Sequence, residues 1–164
     1  MRQPLSAGVR WLTMTNTKTI IDFWPEVENA KIVYDFYKKW PTLHDAEIIE
    51  INLNRELGFD FTGPKIQMTL HWCADWLSDK RSIRKGSKIV LVFERTELQT
   101  IKDFNHQNAI ADFIMRKFYS KRLRQHRYKI AIGEFGTKMQ FTCSAVKVVS
   151  IAKYVPPDYF KKNI

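Results

Sequence analysis

His44, Asp45 and Glu47 stand together in "WPTLHDAEIIEINLNRE", residues 40–56. An imidazole beside two carboxylates has the groups to ligate a divalent ion, or to supply an acid and a base to a hydrolysis, provided that His71 or His106 joins them in space. The helical metal phosphohydrolases need further histidines at spacings that this sequence lacks. The architectural reading is that His44 and Asp45 end a loop and cap its backbone, while Glu47 pairs with a lysine, an arginine or His106. Asp45 and Glu47 share parity with Ile49, Ile51 and Leu53 in the alternating run that follows, so they extend a buried face toward its end. Two carboxylates there are costly unless paired or wet. Pattern and simple burial conflict at this one place, and such conflicts fall at functional or special structural sites.

A second polar concentration is "FNHQN", residues 104–108. Asn105, His106, Gln107 and Asn108 are hydrogen-bonding groups suited to a turn, with Asn105 able to take a left-handed conformation and Asn108 able to bind its own backbone. A catalytic role would cast His106 as a base. The turn reading is preferred, because no serine or cysteine nucleophile sits in a recognisable elbow. The sequence also has no phosphate-cradling glycine loop, no Cys-x-x-Cys and no His-Glu-x-x-His. No catalytic residue, metal ligand or cofactor is assigned, and the chain is expected not to be an enzyme. A small metal-dependent hydrolase built on His44, Asp45, Glu47 and His106 is kept as an alternative.

The third feature is charge. The net charge is +10, and two segments carry it: "KRSIRKGSK", residues 80–88, has five cations and no acid, and "RKFYSKRLRQHRYK", residues 116–129, has seven and no acid. Removing the five and the seven from +10 leaves −2 for everything else. Both segments read as connections between strands. Lys80, Arg81, Arg84 and Lys85 in the first, and Arg116, Lys117, Lys121, Arg122, Arg124 and Arg127 in the second, are candidates to meet an anionic partner, with Tyr119 and Trp76 as aromatic anchors. Phe118, Tyr119 and Tyr128 could also stack on bases, which makes a basic nucleic-acid-binding module a further alternative. No helix-turn-helix, zinc-finger, KH or RNP pattern accompanies the charge. The bland reading is a solvated face that keeps the protein soluble.

The elements that must position these residues follow from periodicity. Residues 18–39 contain a Trp24-Pro25 step, which does not suit a helix interior, and after it one short helix or a helix merging into an edge strand. From Ala46 period two dominates, with Ile49, Ile51 and Leu53 on one face and Ile48, Glu50, Asn52 and Asn54 on the other. "KIQMTLHW" turns Ile66, Met68, Leu70 and Trp72 one way, and "KIVLVFER", residues 88–95, is apolar on both faces as a central strand is. Residues 97–115 read as a strand, a turn at Asn105, and a second strand or short helix. Tyr128, Ile130 and Ile132 share a face, as do Met139, Phe141, Cys143 and Ala145, with Gly133 and Gly136 bracketing a hairpin connection. The fold expected is α+β and mainly antiparallel β: a single folded-over sheet, sandwich or open barrel, of six to seven strands with one or two short helices.

The chain has 164 residues, 45% of them hydrophobic and 13% aromatic, enough for one core. Residues 1–17 are expected to be a flexible tail, with Met14 an alternative start, and residues 18–164 one domain. No stretch reaches the roughly 20 apolar residues that span a bilayer, and no secretory signal is seen, so a cytoplasmic protein that does not engage membranes is expected. Cys73 and Cys143 read as reduced, mostly buried thiols.

Taken in order, "WPTLHDAEIIEINLNRE", "VLVFERTELQTIKDFNHQNAIADF" and "IAIGEFGTKMQFTCSAVKVVSI" resemble the immunity protein 50 family, small bacterial proteins encoded beside polymorphic or contact-dependent toxins. The resemblance runs from about Trp40 to Ile151, with His44, Asp45, Glu47, Phe104, Asn105, His106, Gln107 and Asn108 at the motif positions; it leaves out the segment before Trp40 and residues 116–129. It implies a non-enzymatic protein that binds and neutralises a cognate toxin of the same cell. A chain at +10 is a poor mimic of nucleic acid, so the toxin surface it meets is expected to be acidic. The oligomeric state is not readable from the sequence.

Overall fold

The computed structural model describes residues 20–55, 63–72, 86–104, 108–133 and 138–154. Two 3-10 turns, Ile20–Asp22 and Trp24–Glu26, lead into helix α1, Lys31–Tyr37. Among the described residues eight strands follow: β1 Glu47–Asn54, β2 Lys65–Trp72, β3 Ser87–Glu94, β4 Glu97–Lys102, β5 Phe113–Ser120, β6 Gln125–Ile132, β7 Lys138–Cys143 and β8 Ala145–Lys153. They form two four-stranded antiparallel sheets, ordered β1-β2-β3-β8 and β4-β7-β6-β5, that do not close into a barrel.

The expected folded-over sheet has a visible crease. β3 leads into β4 through Arg95 and Thr96 alone, and β7 leads into β8 through Ser144 alone, so the same two lengths of chain pair on both sides of the corner. Ser144 donates its backbone N–H to Glu94 O at 2.9 Å, and Thr96 donates its N–H to Pro64 O at 2.8 Å, which satisfies the backbone where the ladders break.

Alternation decides what the crease encloses. Ile66, Met68 and Leu70 of β2, and Ile89, Leu91 and Phe93 of β3, face Met139, Phe141 and Cys143 of β7 and Ile130 of β6 across one core. Phe93 joins the sheets, its ring 4.8 Å from Phe141 edge-on and 6.5 Å from Phe113 stacked. β3 lies between β2 and β8, as a strand apolar on both faces requires.

Trp24, fully buried, donates its indole N–H to Pro41 O at 2.7 Å and stacks on Trp40 at 6.1 Å. Its Trp-Pro step lies in a 3-10 turn, and α1 begins beyond it. Glu28 then bridges the edge of β8, donating to Val146 O and accepting from Val148 N–H, both at 2.9 Å.

Two sequence expectations change. Among the described residues strands number eight, because Ala145–Lys153 is a strand of its own beyond Ser144, and residues 116–129 form the ends of β5 and β6 with a turn at 121–124 and are no loose connection. The phase of β1 also differs from simple alternation. Ile48 pairs with Leu70 and Glu50 with Thr69, so Ile49 is the extra residue of a β-bulge. Ala46 and Ile48 are therefore buried before the bulge and Ile51 packs on the core after it, while Leu53 is 52% exposed. One added residue exchanges the faces.

Candidate partner-binding surface

The "HDAE" step is a turn that starts β1. Ala46 N–H donates to Leu43 O at 3.1 Å, and Asp45 sits at φ 61°, a left-handed conformation that a short polar side chain tolerates. His44 Nδ1 lies 2.9 Å from Asp45 Oδ2, with both side chains more than 60% exposed, so the pair contributes little energy. The expected burial of the two acids is thus resolved: the bulge puts Ala46 and Ile48 inward, Asp45 in solvent, and Glu47 opposite His71 on the outer face.

Residues 108–110 lie directly against this turn. Asp45 N–H donates to Ile110 O, Ile110 N–H to Ala46 O and Ile48 N–H to Asn108 O, at 2.8 to 3.0 Å. The fold therefore brings the two polar steps together through backbone hydrogen bonds, with Asn108 buried at the junction and Trp72 Nε1–H donating to His44 O at 3.1 Å. Asn105, His106 and Gln107 lie outside the described residues. Among the described residues no group of three or more His, Cys, Asp or Glu side chains could hold a metal ion.

His71, the other imidazole considered, is 5% exposed on the outer face of the β1–β8 sheet, 5.2 Å edge-on from Tyr154. Burial, and then the charge of Lys88, hold its pKa below the ordinary 6.5, so it is neutral at neutral pH. Cys143, buried in the core, has its thiol pushed up to about 12 by burial and is unreactive as a thiolate. Cys73 lies outside the described residues.

The cations divide by environment. Lys80, Arg81, Arg84, Lys85 and Trp76 lie outside the described residues. Arg127 is only 3% exposed and donates to Arg95 O at 2.8 Å and Thr142 Oγ1 at 3.0 Å, with Glu97 Oε1 at 3.6 Å. Arg95, at φ 50°, is in the crease between β3 and β4, so Arg127 clamps the corner and belongs to the framework. Lys117 meets Glu26 at 2.6 Å, and that hydrogen bond, followed by Tyr128, raises its pKa. Tyr128 O–H donates to the same carboxylate at 3.0 Å; burial, then Glu26, raises its own. These two side chains tie the β5–β6 hairpin to the 24–26 turn.

The hairpin tip is open. Phe118, Tyr119 and Leu123 are exposed beside Lys121, Arg122 and Arg124, with Arg122 2.7 Å from Glu97. Aromatic, aliphatic and arginine side chains projecting together have the composition of an interface centre. Sequence reasoning did not single out Lys102, Lys129 and Lys138, which share the outer face of the same sheet. Parity along β7 could have put Lys138 outward; its partner strand could not be read that way.

Two antiparallel sheets creased into a sandwich, with an open cationic and aromatic hairpin tip and a polar junction held by backbone bonds, define a mainly antiparallel β-module in which α1 is the helix among the described residues. A family model described as Immunity protein 50 matches residues 29–154. The chain belongs to the immunity protein 50 family. The match takes in α1 and the 116–129 hairpin, which the motif resemblance left out. No curated protein and no solved structure matches the chain.

Proposed function

We propose that this chain is a non-enzymatic immunity protein that acts in the cytoplasm by binding a cognate toxin domain and neutralising it. Membership of the immunity protein 50 family carries the reading. The cationic, partly aromatic β5–β6 hairpin supports protein binding as the means, with an acidic toxin surface as the complement. Steering by opposite charge speeds encounter, and the exposed Phe118, Tyr119 and Leu123 supply apolar contact once docked.

The test uses the purified chain as bait in extract of its own cell at about physiological salt, where nonspecific polyanion attraction is screened over roughly 8 Å. The captured protein, expressed alone, should arrest growth, and co-expression of the chain should restore it. Reversing charge at Lys121, Arg122 and Arg124 should abolish the rescue. A captured protein without toxicity, or toxicity that the chain does not relieve, contradicts the reading.

A further inference from the structure

Two Trp-Pro steps, Trp24-Pro25 and Trp40-Pro41, come together beside α1. Trp24 is bonded to Pro41 O, and the indoles of Trp24 and Trp40 stack with their planes 11° apart. Tyr34, in the first turn of α1, holds its ring 5.0 Å from that of Trp40 at a 54° tilt. These three rings line an open groove of about 600 Å³, to which Pro25, Ala30 and Lys31 also contribute. That volume is in the range of ligand sites, roughly 300–1,000 Å³. At 3.6 residues per turn, Val33 and Tyr37 pack on the core, Tyr34 takes the flank beside the groove, and Ile32 and Phe36 take the opposite one.

Core packing accounts for Trp24, which is fully buried. It does not account for Tyr34, 42% exposed, or for the half-buried Trp40. Among the described residues nothing accepts from Tyr34 O–H or Trp40 Nε1–H, and Lys31 has further N–H groups beyond the one that meets Asp35. Asn29, also on the lining, directs its amide N–H to Val148 O. The groove thus offers aromatic faces and hydrogen-bond donors. Its electrostatic complement is an apolar chain that supplies acceptors. Proline does this: its ring is apolar, it has no backbone N–H, and a polyproline II segment makes no internal hydrogen bonds, so its carbonyls are free to accept. Such a segment is already extended and loses little entropy on docking in an aromatic groove.

The groove adjoins the cationic hairpin. Glu26, next after Pro25, accepts from Lys117 at 2.6 Å and from Tyr128 at 3.0 Å, which fastens one wall of the groove to β5 and β6. From Lys117 to the strand end at Ser120 is three residues, roughly 10 Å, so a partner seated on the hairpin tip reaches the groove.

We propose that the groove of Trp24, Tyr34 and Trp40 docks an extended, proline-containing segment of the cognate toxin, its rings packed on Tyr34 and Trp40 and its carbonyls accepting from the lining donors. This deepens the immunity reading and rests on it for the partner's identity as a toxin. Peptide is favoured over nucleic acid because Lys31, the cation among the described lining residues, is paired with Asp35 and leaves little net charge to hold phosphates.

Titration of the 15N-labelled chain with a peptide of eight prolines tests it, read at the indole N–H signal of Trp40, which Trp40→Phe identifies. That signal should shift saturably with the proline peptide and not with a glycine-serine peptide of equal length. Tyr34→Ala should weaken binding by at least about 10-fold, and Phe36→Ala, on the other flank of α1, by less than about 3-fold. Tyr34→Phe, which loses the hydroxyl alone, should weaken it about 2- to 5-fold and serves if Tyr34→Ala does not fold. No saturable shift at millimolar peptide, or equal weakening by Tyr34→Ala and Phe36→Ala, overturns the proposal. A Trp40 shift produced by raising the protein concentration alone would make a second copy the occupant, and a larger shift with poly(U) RNA would make it nucleic acid; either overturns it. A toxin neutralised equally well by Tyr34→Ala removes the groove from the interface and leaves the immunity reading standing. A saturable proline site on a chain that neutralises no toxin does the reverse.

Discussion

The outer faces of the two sheets share strand number and antiparallel pairing, yet they treat charge in opposite ways. On β1-β2-β3-β8, Lys65, Lys88 and Lys147 share the face with Glu47, Glu50 and Glu94; Lys65 stands opposite Glu94 and Thr69 donates to Glu50, while Lys88 stands opposite His71. On β4-β7-β6-β5, Lys102, Arg116, Arg127, Lys129 and Lys138 share it, among the described strand residues, with Glu97. Opposite-charge pairs across strands contribute roughly 0.2–1 kcal/mol each, and like-charge pairs oppose folding. The two faces therefore differ in composition: cations and acids are mixed on one, and cations predominate among the described strand residues of the other.

The largest effect asks whether the two faces belong to one cooperative unit. Phe93→Ala removes the ring that touches the opposite sheet at Phe113 and Phe141, and should cost about 3–5 kcal/mol. Urea unfolding followed by circular dichroism and by tryptophan fluorescence should show one shared transition. Two separated transitions would mean that the faces are independently stable and the comparison is between two modules.

Arg127 tests the cation on the basic face that the fold itself uses. Arg127→Ala leaves Arg95 O and Thr142 Oγ1 without this donor in the crease and should cost about 2–3 kcal/mol by chemical denaturation. Lys129→Ala, two residues along the same strand and exposed, should stay within about 0.5 kcal/mol. Equal costs would erase the division between framework and surface cations.

A charge exchange sharpens the contrast directly. Lys129→Glu opposite Arg116 should stabilise the protein by about 0.2–1 kcal/mol, and Lys65→Glu opposite Glu94 should destabilise it by a similar amount. Shifts of the same sign in the two denaturation midpoints would mean that cross-strand charge does not set the difference between the two positions.

The smallest effect concerns His71 on the balanced face. Its folded pKa lies below the unfolded 6.5, so the unfolded chain takes up the proton first as pH falls. Its contribution is intact above 6.5 and is lost on acidification through 6.5 toward the lower folded value. Stability measured from about pH 7.5 down to 5 should fall less in His71→Gln than in the parent. An unchanged acid slope would show that this imidazole is not desolvated.

Much of the framework was legible beforehand. In β2, β6 and β7 the residues read as one face include the buried Ile66, Met68, Leu70, Trp72, Ile130, Ile132, Met139, Phe141 and Cys143, and β3 lies between two strands as expected of a run apolar on both faces. β1 misled because a bulge at Ile49 leaves no mark in composition: Ile48 and Ile49 are interchangeable to a reader of pattern, and the ladder with β2 chooses between them. Residues 116–129 misled because exposed strand ends near a turn are as polar as loops. The folding-over was expected, but the place of the crease was not legible, for a related reason. A connection of one or two residues has too little sequence to carry a signal, and Ser144 is visible as a corner only through its bond to Glu94.

By itself the sequence determined the apolar faces of β2, β6 and β7, the concentration of cations and the motif order that points to the immunity protein 50 family, because each is written along a single stretch of chain. The tertiary structure alone decided that Arg127 is buried at the crease while Arg124 is exposed, that "HDAE" and residues 108–110 meet through their backbones, and that Lys102 faces Lys138. Those are properties of register between distant segments. Register is set by how whole strands bury their apolar faces against one another, so local residue order cannot specify it alone.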